Sequence, residues 1–174
     1  EVNDLTIYAD TIYASTDDGI YKKSKLTTDS IWISCGMQGN HIMQTLVENH
    51  QTFISVVTLS GENTNAIYKS ENGGLTFTPI TSSVSNDYLY LYLDHLAHPP
   101  GDFSTLYLLD HLLQTDNGGT TWSPLGFSVN TNRFIMVNPS NPAQLIVGGE
   151  GDFFNAMLQV SNDYGVTWEY PIMN

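Results

Sequence analysis

Positive charge is scarce: the chain has 5 Lys and Arg among 174 residues, against 18 Asp and Glu, for a formal net charge of −13. Affinity for nucleic acid comes largely from Lys and Arg displacing phosphate counterions, so a nucleic-acid partner is excluded. An anionic membrane surface is disfavoured for the same reason. There is one cysteine, Cys35, so neither an internal disulfide nor a zinc site on paired cysteines is available. No apolar run approaches the ~20 residues that span a bilayer. No stretch sustains a 3.6-residue period with helix caps, so almost no helix is expected. Nucleophile elbow, phosphate loop and zinc-protease helix are all missing. The chain opens Glu1-Val2-Asn3, without Met or a signal-peptide pattern, and is expected to be a processed product or an excerpt. What is present is 41% hydrophobic and 11% aromatic residues, which argues for an ordered chain of about one domain.

Three segments align without gaps: Ser70 to Phe77, Thr115 to Trp122 and Ser161 to Trp168. Their shared pattern is Ser/Thr, any, Asp/Asn, any, Gly, any, Thr, aromatic. The closing aromatics Phe77, Trp122 and Trp168 are 45 and 46 residues apart. Counting the same period back from Phe77 reaches Trp32, and Ile20-Tyr21-Lys22-Lys23-Ser24 matches Ile67-Tyr68-Lys69-Ser70. The first copy is degenerate, with Thr27, Thr28 and Asp29 where the later copies have a glycine turn. In each box an Asx side chain (Asn72, Asn117, Asp163) bonds nearby backbone amides and closes a turn. Gly74, Gly119 and Gly165 permit the positive φ of that turn. The aromatic then opens the next strand, is expected to be buried, and anchors the box to the core, contributing about 5 kcal/mol at most. On that expectation Trp122→Ala costs roughly 3–5 kcal/mol, while Asp116→Ala, at a variable position, costs little.

The rest of each period reads as short strands. Unit one gives Leu5 to Tyr8, Thr11 to Ser15, Ile20 to Lys23 and Trp32 to Ser34. Unit two gives Ile42 to Val47, Thr52 to Thr58, Ala66 to Ser70 and Phe77 to Ile80. Unit three gives Tyr88 to Leu93, Thr105 to Leu109, Leu112 to Thr115 and Trp122 to Leu125. Unit four gives Arg133 to Val137, Gln144 to Val147, Met157 to Val160 and Trp168 to Pro171. Proline-bearing links, His98 to Asp102 and Asn138 to Pro142, separate the first two strands of the last two units. Four antiparallel strands per period of ~45 residues is the pattern of a β-propeller blade. The expected fold is all-β, with four visible blades over about 1–36, 37–81, 82–127 and 128–174, as a section of a larger propeller.

The boxes resemble the Asp-box, or bacterial neuraminidase repeat, of sialidases, sortilin-like receptors, xyloglucan hydrolases and photosystem II assembly factors. The resemblance covers nearly the whole chain. It implies fold far more than function, because the repeat is architectural. It places the box on the outer rim, so Ser70, Asn72, Gly74, Phe77, Thr115, Asn117, Gly119, Trp122, Ser161, Asp163, Gly165 and Trp168 are read as structural. A three-arginine sialidase site is excluded, because Arg133 is the single Arg. A receptor-type disulfide module is excluded by the single Cys, and the arginine-rich patch of the assembly factors is missing. Xyloglucan hydrolases use two carboxylates across a cleft between two propellers, and acidic residues are plentiful here.

The same resemblance puts ligands on the face made by the loops from second to third and from fourth to first strands. The longest such loops are Leu59 to Asn65 and Gly148 to Asn155, which makes Glu62, Asn63, Glu150 and Asp152 the candidate ligand-binding residues. No metal and no cofactor is expected: His95 and His98 fall at one end of their blade and His111 at the other. Cys35 reads as a small core residue. The functional expectation is a non-catalytic extracellular or cell-surface module for binding, adhesion or assembly, with a protein or glycan partner. The alternative is a fragment of a xyloglucanase-like glycoside hydrolase. Unpaired blade edges would template further pairing, so the isolated chain is expected to associate, with copies of itself or with the remainder of a longer chain.

Overall fold

A computed structural model describes residues 1–26, 28, 31–58, 65–81, 96–109, 112–125, 131–150 and 156–170. Among them there is no α-helix, and all regular structure is antiparallel β. Two compact units are formed, Glu1–Asp94 and His95–Asn174. Each carries two sheets of propeller-blade type.

In the first unit, β1 (Val2–Tyr8), β2 (Thr11–Thr16), β3 (Gly19–Ser24) and β4 (Ile33–Ser34) form blade 1. Blade 2 is β5 (His41–Val47), β6 (Phe53–Thr58), β7 (Asn65–Ser70) and β8 (Thr78–Pro79). The strands follow in chain order across each sheet, as tight hairpin connections require. Tyr13, Ile20 and Cys35 of blade 1 pack with Ile42, Val47, Phe53 and Val57 of blade 2. The two blades are also joined by a chain of buried hydroxyls. Ser15 Oγ donates to Thr45 Oγ1 at 2.9 Å, and Thr45 Oγ1 lies 3.1 Å from Ser55 Oγ. These three groups are at most 2% exposed, so the chain satisfies what burial would otherwise leave unpaired.

In the second unit, β9 (Leu96–Ala97), β10 (Leu106–Leu108), β11 (Leu113–Thr115) and β12 (Ser123–Pro124) form blade 3. Blade 4 is β13 (Thr131–Val137), β14 (Leu145–Glu150) and β15 (Ala156–Ser161), with an isolated bridge from Val160 to Glu169. Tyr107, Leu109, Leu112 and Leu125 pack with Ile135, Leu145 and Val147.

One backbone bond shows that the four-fold repeat extends into the degenerate first unit. Cys35 N–H donates to Ile20 O, Ile80 N–H to Ile67 O, and Leu125 N–H to Leu112 O, at 2.6, 2.8 and 2.7 Å. Each donor lies three residues after Trp32, Phe77 or Trp122, and each acceptor is a fully buried residue. The corresponding donor position in unit four is Pro171, which has no N–H to give. Among the described residues the outer pairing of blade 4 is the Val160–Glu169 bridge, within the strand expected from Trp168 to Pro171, whose last residue lies outside them.

The other differences from the sequence expectation are local. The expected strand Tyr88 to Leu93 lies outside the described residues, and the strand that pairs with β10 is Leu96–Ala97. The outer strands β4, β8 and β12 are only two residues long, and box turns occupy the positions before β8 and β12. The box aromatics Phe77, Trp122 and Trp168 are half-buried, where fuller burial was expected. Phe77 and Trp168 pack against the edges of their clusters.

The boxes are held by polar bonds that repeat almost atom for atom. Ser70 Oγ accepts from the N–H of Gly74 at 3.0 Å and donates to Asn72 Oδ1 at 3.1 Å, and that oxygen accepts from Thr76 N–H at 2.9 Å. Thr115, Asn117, Gly119 and Thr121 repeat the same three bonds at 3.0, 2.9 and 2.9 Å. Ser161, Asp163, Gly165 and Thr167 repeat them at 2.8, 2.8 and 2.8 Å. The fourth bond differs in direction. Asn72 and Asn117 donate from Nδ2 to the Thr hydroxyl, whereas Asp163 Oδ2 accepts from the Thr167 hydroxyl.

That reversal makes one box pH-sensitive. The Thr167 hydroxyl above all, then Thr167 N–H and the Ser161 hydroxyl, hold the Asp163 carboxyl below its usual value. A depressed folded pKa contributes stability above the unfolded pKa, and that stability is lost as pH falls through the folded value. Asp163→Asn, which copies the other two boxes, is therefore expected to flatten the melting temperature between neutral pH and pH ~3. An unchanged acid slope in thermal melts would show that the carboxylate is not held as described.

Candidate functional site

The sequence candidates Glu62, Asn63 and Asp152 lie outside the described residues. Glu150 ends β14, where its backbone pairs with Thr131 and Ala156. Of the histidines weighed for a metal, His95 and His111 also lie outside, and His98 packs edge-on against Phe103 with Nδ1 2.7 Å from Pro99 O. Among the described residues no group of three His, Cys, Asp or Glu is placed to share a metal ion.

The structure instead forms a groove between consecutive boxes of the second unit, with a volume of about 290 Å³. Its floor and one wall come from blade 3: Tyr107 on β10, Gln114 on β11, Asp116 and Thr121 in the box, and Ser123 on β12. Tyr164 and Val166, from the box of blade 4, form the opposite wall. Strand alternation explains the floor, since Gln114 pairs with Ser123 on one side and Tyr107 on the other.

The lining is rich in hydroxyls and amides and carries one carboxylate, Asp116, and no Lys, Arg or His. Burial, with smaller contributions from Tyr164 and Asp102, pushes the Tyr107 hydroxyl up to about 12. Tyr107 therefore remains a neutral donor and acceptor across the physiological range. Tyr164 is 54% exposed, and its backbone N–H is fixed to Ala143 O at 2.8 Å.

Tyr164 also stands out by its backbone. The residue before the box glycine has φ +71° at Gly73, +66° at Gly118 and +59° at Tyr164. Two boxes use glycine for this left-handed position, and the third places a large aromatic there. A side chain in that region costs about 1–2 kcal/mol, and such strain gathers at functional positions. The signal was in the sequence, as Tyr where Gly-Gly stands in the other two boxes. Its meaning required knowing that the two turns share a groove.

The first unit has a wider counterpart of about 510 Å³, between Ser34–Gln38 and Gly73–Phe77, with Tyr68 in its wall. It lacks an aromatic at the left-handed position, because Gly73 stands there. Cys35 borders it but is 4% exposed, and burial pushes its thiol up, which disfavours the reactive thiolate.

No protein-family model matches the chain, and no curated protein matches its sequence. Solved structures do. An ancestral GH74 enzyme superposes with TM-score 0.72 at 16% identity, over 98% of this chain and 24% of its own. The GH74 xyloglucanase from Xanthomonas campestris gives 0.69 at 17% identity, over 97% of this chain and 30% of its own. TolB from Acinetobacter baumannii gives 0.65 at 11% identity, over 93% of this chain and 40% of its own. The chain thus spans a quarter to two-fifths of the length of these proteins, and at such identities the likeness is one of fold.

Proposed function

We propose that the chain is a propeller-blade module, extracellular or at the cell surface, that binds a neutral polyhydroxylated ligand of the sugar class in the Tyr164 groove. The observation that carries this reading is Tyr164 itself, an exposed ring held at φ +59° where both sister boxes have glycine. A ring at the wall of a hydroxyl-lined groove offers an apolar plate for the C–H face of a pyranose, while Gln114, Ser123 and Asp116 offer partners for its hydroxyls. The lack of any cation in the lining disfavours phosphorylated or carboxylated ligands. Likeness to two GH74 structures, one of them a xyloglucanase, makes xyloglucan oligosaccharides the first ligands to try.

The alternative is part of a hydrolase of the xyloglucanase type, acting through two facing carboxylates. Release of reducing ends by the purified chain would favour it; binding without turnover favours the binding module.

Tyr164→Gly separates binding from folding. Glycine accepts the left-handed backbone, so the melting temperature should move by no more than a few degrees. Oligosaccharide binding should fall about tenfold or more with loss of the ring. Unchanged affinity in a calorimetric titration would remove the groove from consideration.

A further inference from the structure

The same joint between blades occurs twice, once in each unit. In the first unit, Tyr13 and Ile20 on one face of blade 1, here its front, meet Val47, Phe53 and Val57 on the back of blade 2. In the second unit, Tyr107 and Leu112 on the front of blade 3 meet Ile135, Leu145 and Val147 on the back of blade 4. Strand register makes the positions equivalent: Leu5 and Ile7 of β1 stand where Thr45 and Val47 stand in β5.

Two halves of this joint are left unmade. On the back of blade 1, Leu5 and Ile7 are 58% and 64% exposed, where Thr45 and Val47 are 1% and 8%. On the front of blade 4, Met136 is 57% exposed and Phe134 36%. Beside them Ile146 and Leu158 are only half-buried, at the positions of the fully buried Tyr107 and Leu112. Exposed apolar surface of this extent on a paired sheet marks an interaction site. Among the described residues the front of blade 4 and the back of blade 1 are open, and the joint within each unit shows that a front of this chemistry seats on a back of this chemistry.

We propose that two copies of the chain join head to tail, with the front of blade 4 in one copy seated on the back of blade 1 in the other. The contact is heterologous, since the two surfaces differ. Leu5, Ile7, Phe134, Met136, Ile146 and Leu158 are all uncharged, so the joint buries no charge at these positions. Each copy carries a net charge of −13, so association is opposed by long-range repulsion and strengthens as salt screens it.

Sedimentation velocity over a wide concentration range, at physiological and higher ionic strength, tests this on the 174-residue chain. The parent should associate, more tightly at high salt. Ile7→Asp and Met136→Asp should each weaken association by ~100-fold or more, because each would bury an unpaired carboxylate. Mixed in equal amounts, the two variants should associate again, since one keeps its blade 4 front and the other its blade 1 back. A parent that is monomeric throughout overturns the proposal. So does loss on only one of the two substitutions, which would mean that like faces pair, and so does a mixture that stays monomeric. Leu5→Gln and Met136→Gln replace either variant whose circular dichroism departs from the parent's.

Discussion

Gly74→Ala should lower stability by about 4 kcal/mol or more, enough to drop the melting temperature by roughly 10 °C. Two effects add at this position. Gly74 has φ +91°, so any side chain carries the left-handed penalty of about 1–2 kcal/mol. The larger effect is steric. A methyl carbon built on Gly74 would fall on the carbonyl oxygen of Cys35, which belongs to blade 1, with the Cys35 carbonyl carbon at 2.9 Å and the Phe53 ring at 3.4 Å. The obstacle is backbone, so no rotamer change relieves it. Relief requires separating the box of blade 2 from the end of blade 1 and loosening the packing around Cys35 and Phe53.

Gly118→Ala supplies the control. Gly118 lies one position earlier in its own box, has φ +66°, and a methyl there meets only Phe103 O at an ordinary 3.7 Å. It should lose only the backbone penalty, about 1–2 kcal/mol. Equal losses at the two sites in chemical denaturation would mean that the box does not touch the preceding blade as described.

The second large effect belongs to the core. Phe53 is fully buried, sits edge-on to Tyr13 with ring centroids 5.3 Å apart, and lies within the cluster that joins blades 1 and 2. Phe53→Ala should cost about 3–5 kcal/mol, since it removes a whole ring from a place where neighbours collapse poorly. Trp122→Ala removes a larger side chain from a half-buried position and should cost less, about 2–3 kcal/mol. The order of the two separates this structure from the sequence expectation, which gave Trp122→Ala roughly 3–5 kcal/mol as a buried anchor. A larger loss from Trp122→Ala than from Phe53→Ala would restore that expectation.

The boxes and most strands could be read from sequence for one physical reason. Each box is a local object, closed by bonds between residues no more than four apart, so its whole logic lies within one window. Hairpin strands are legible on the same grounds, and β2, β6 and β14 fall within a few residues of their expected limits. Burial of the aromatics was not legible, because it depends on how far the outer strand continues after the turn.

The groove was illegible for a further reason. Gln114 and Tyr164 are 50 residues apart and line one groove only because successive blades place successive boxes side by side. Loop length, the signal followed in the sequence, pointed instead to Glu62, Asn63, Glu150 and Asp152. A tyrosine in a glycine position is a second kind of signal, backbone strain held in place, which loop length does not report.

The central claim is that ligand meets this chain at the Tyr164 groove. Titration of the isotope-labelled chain with a xyloglucan oligosaccharide, followed by amide chemical shifts, tests it most directly. Saturable shifts gathered on Gln114, Asp116, Ser123, Tyr164 and Val166 are the predicted result. Shifts confined to residues 59–65 and 148–155, or no saturable shift with any neutral oligosaccharide, would contradict it.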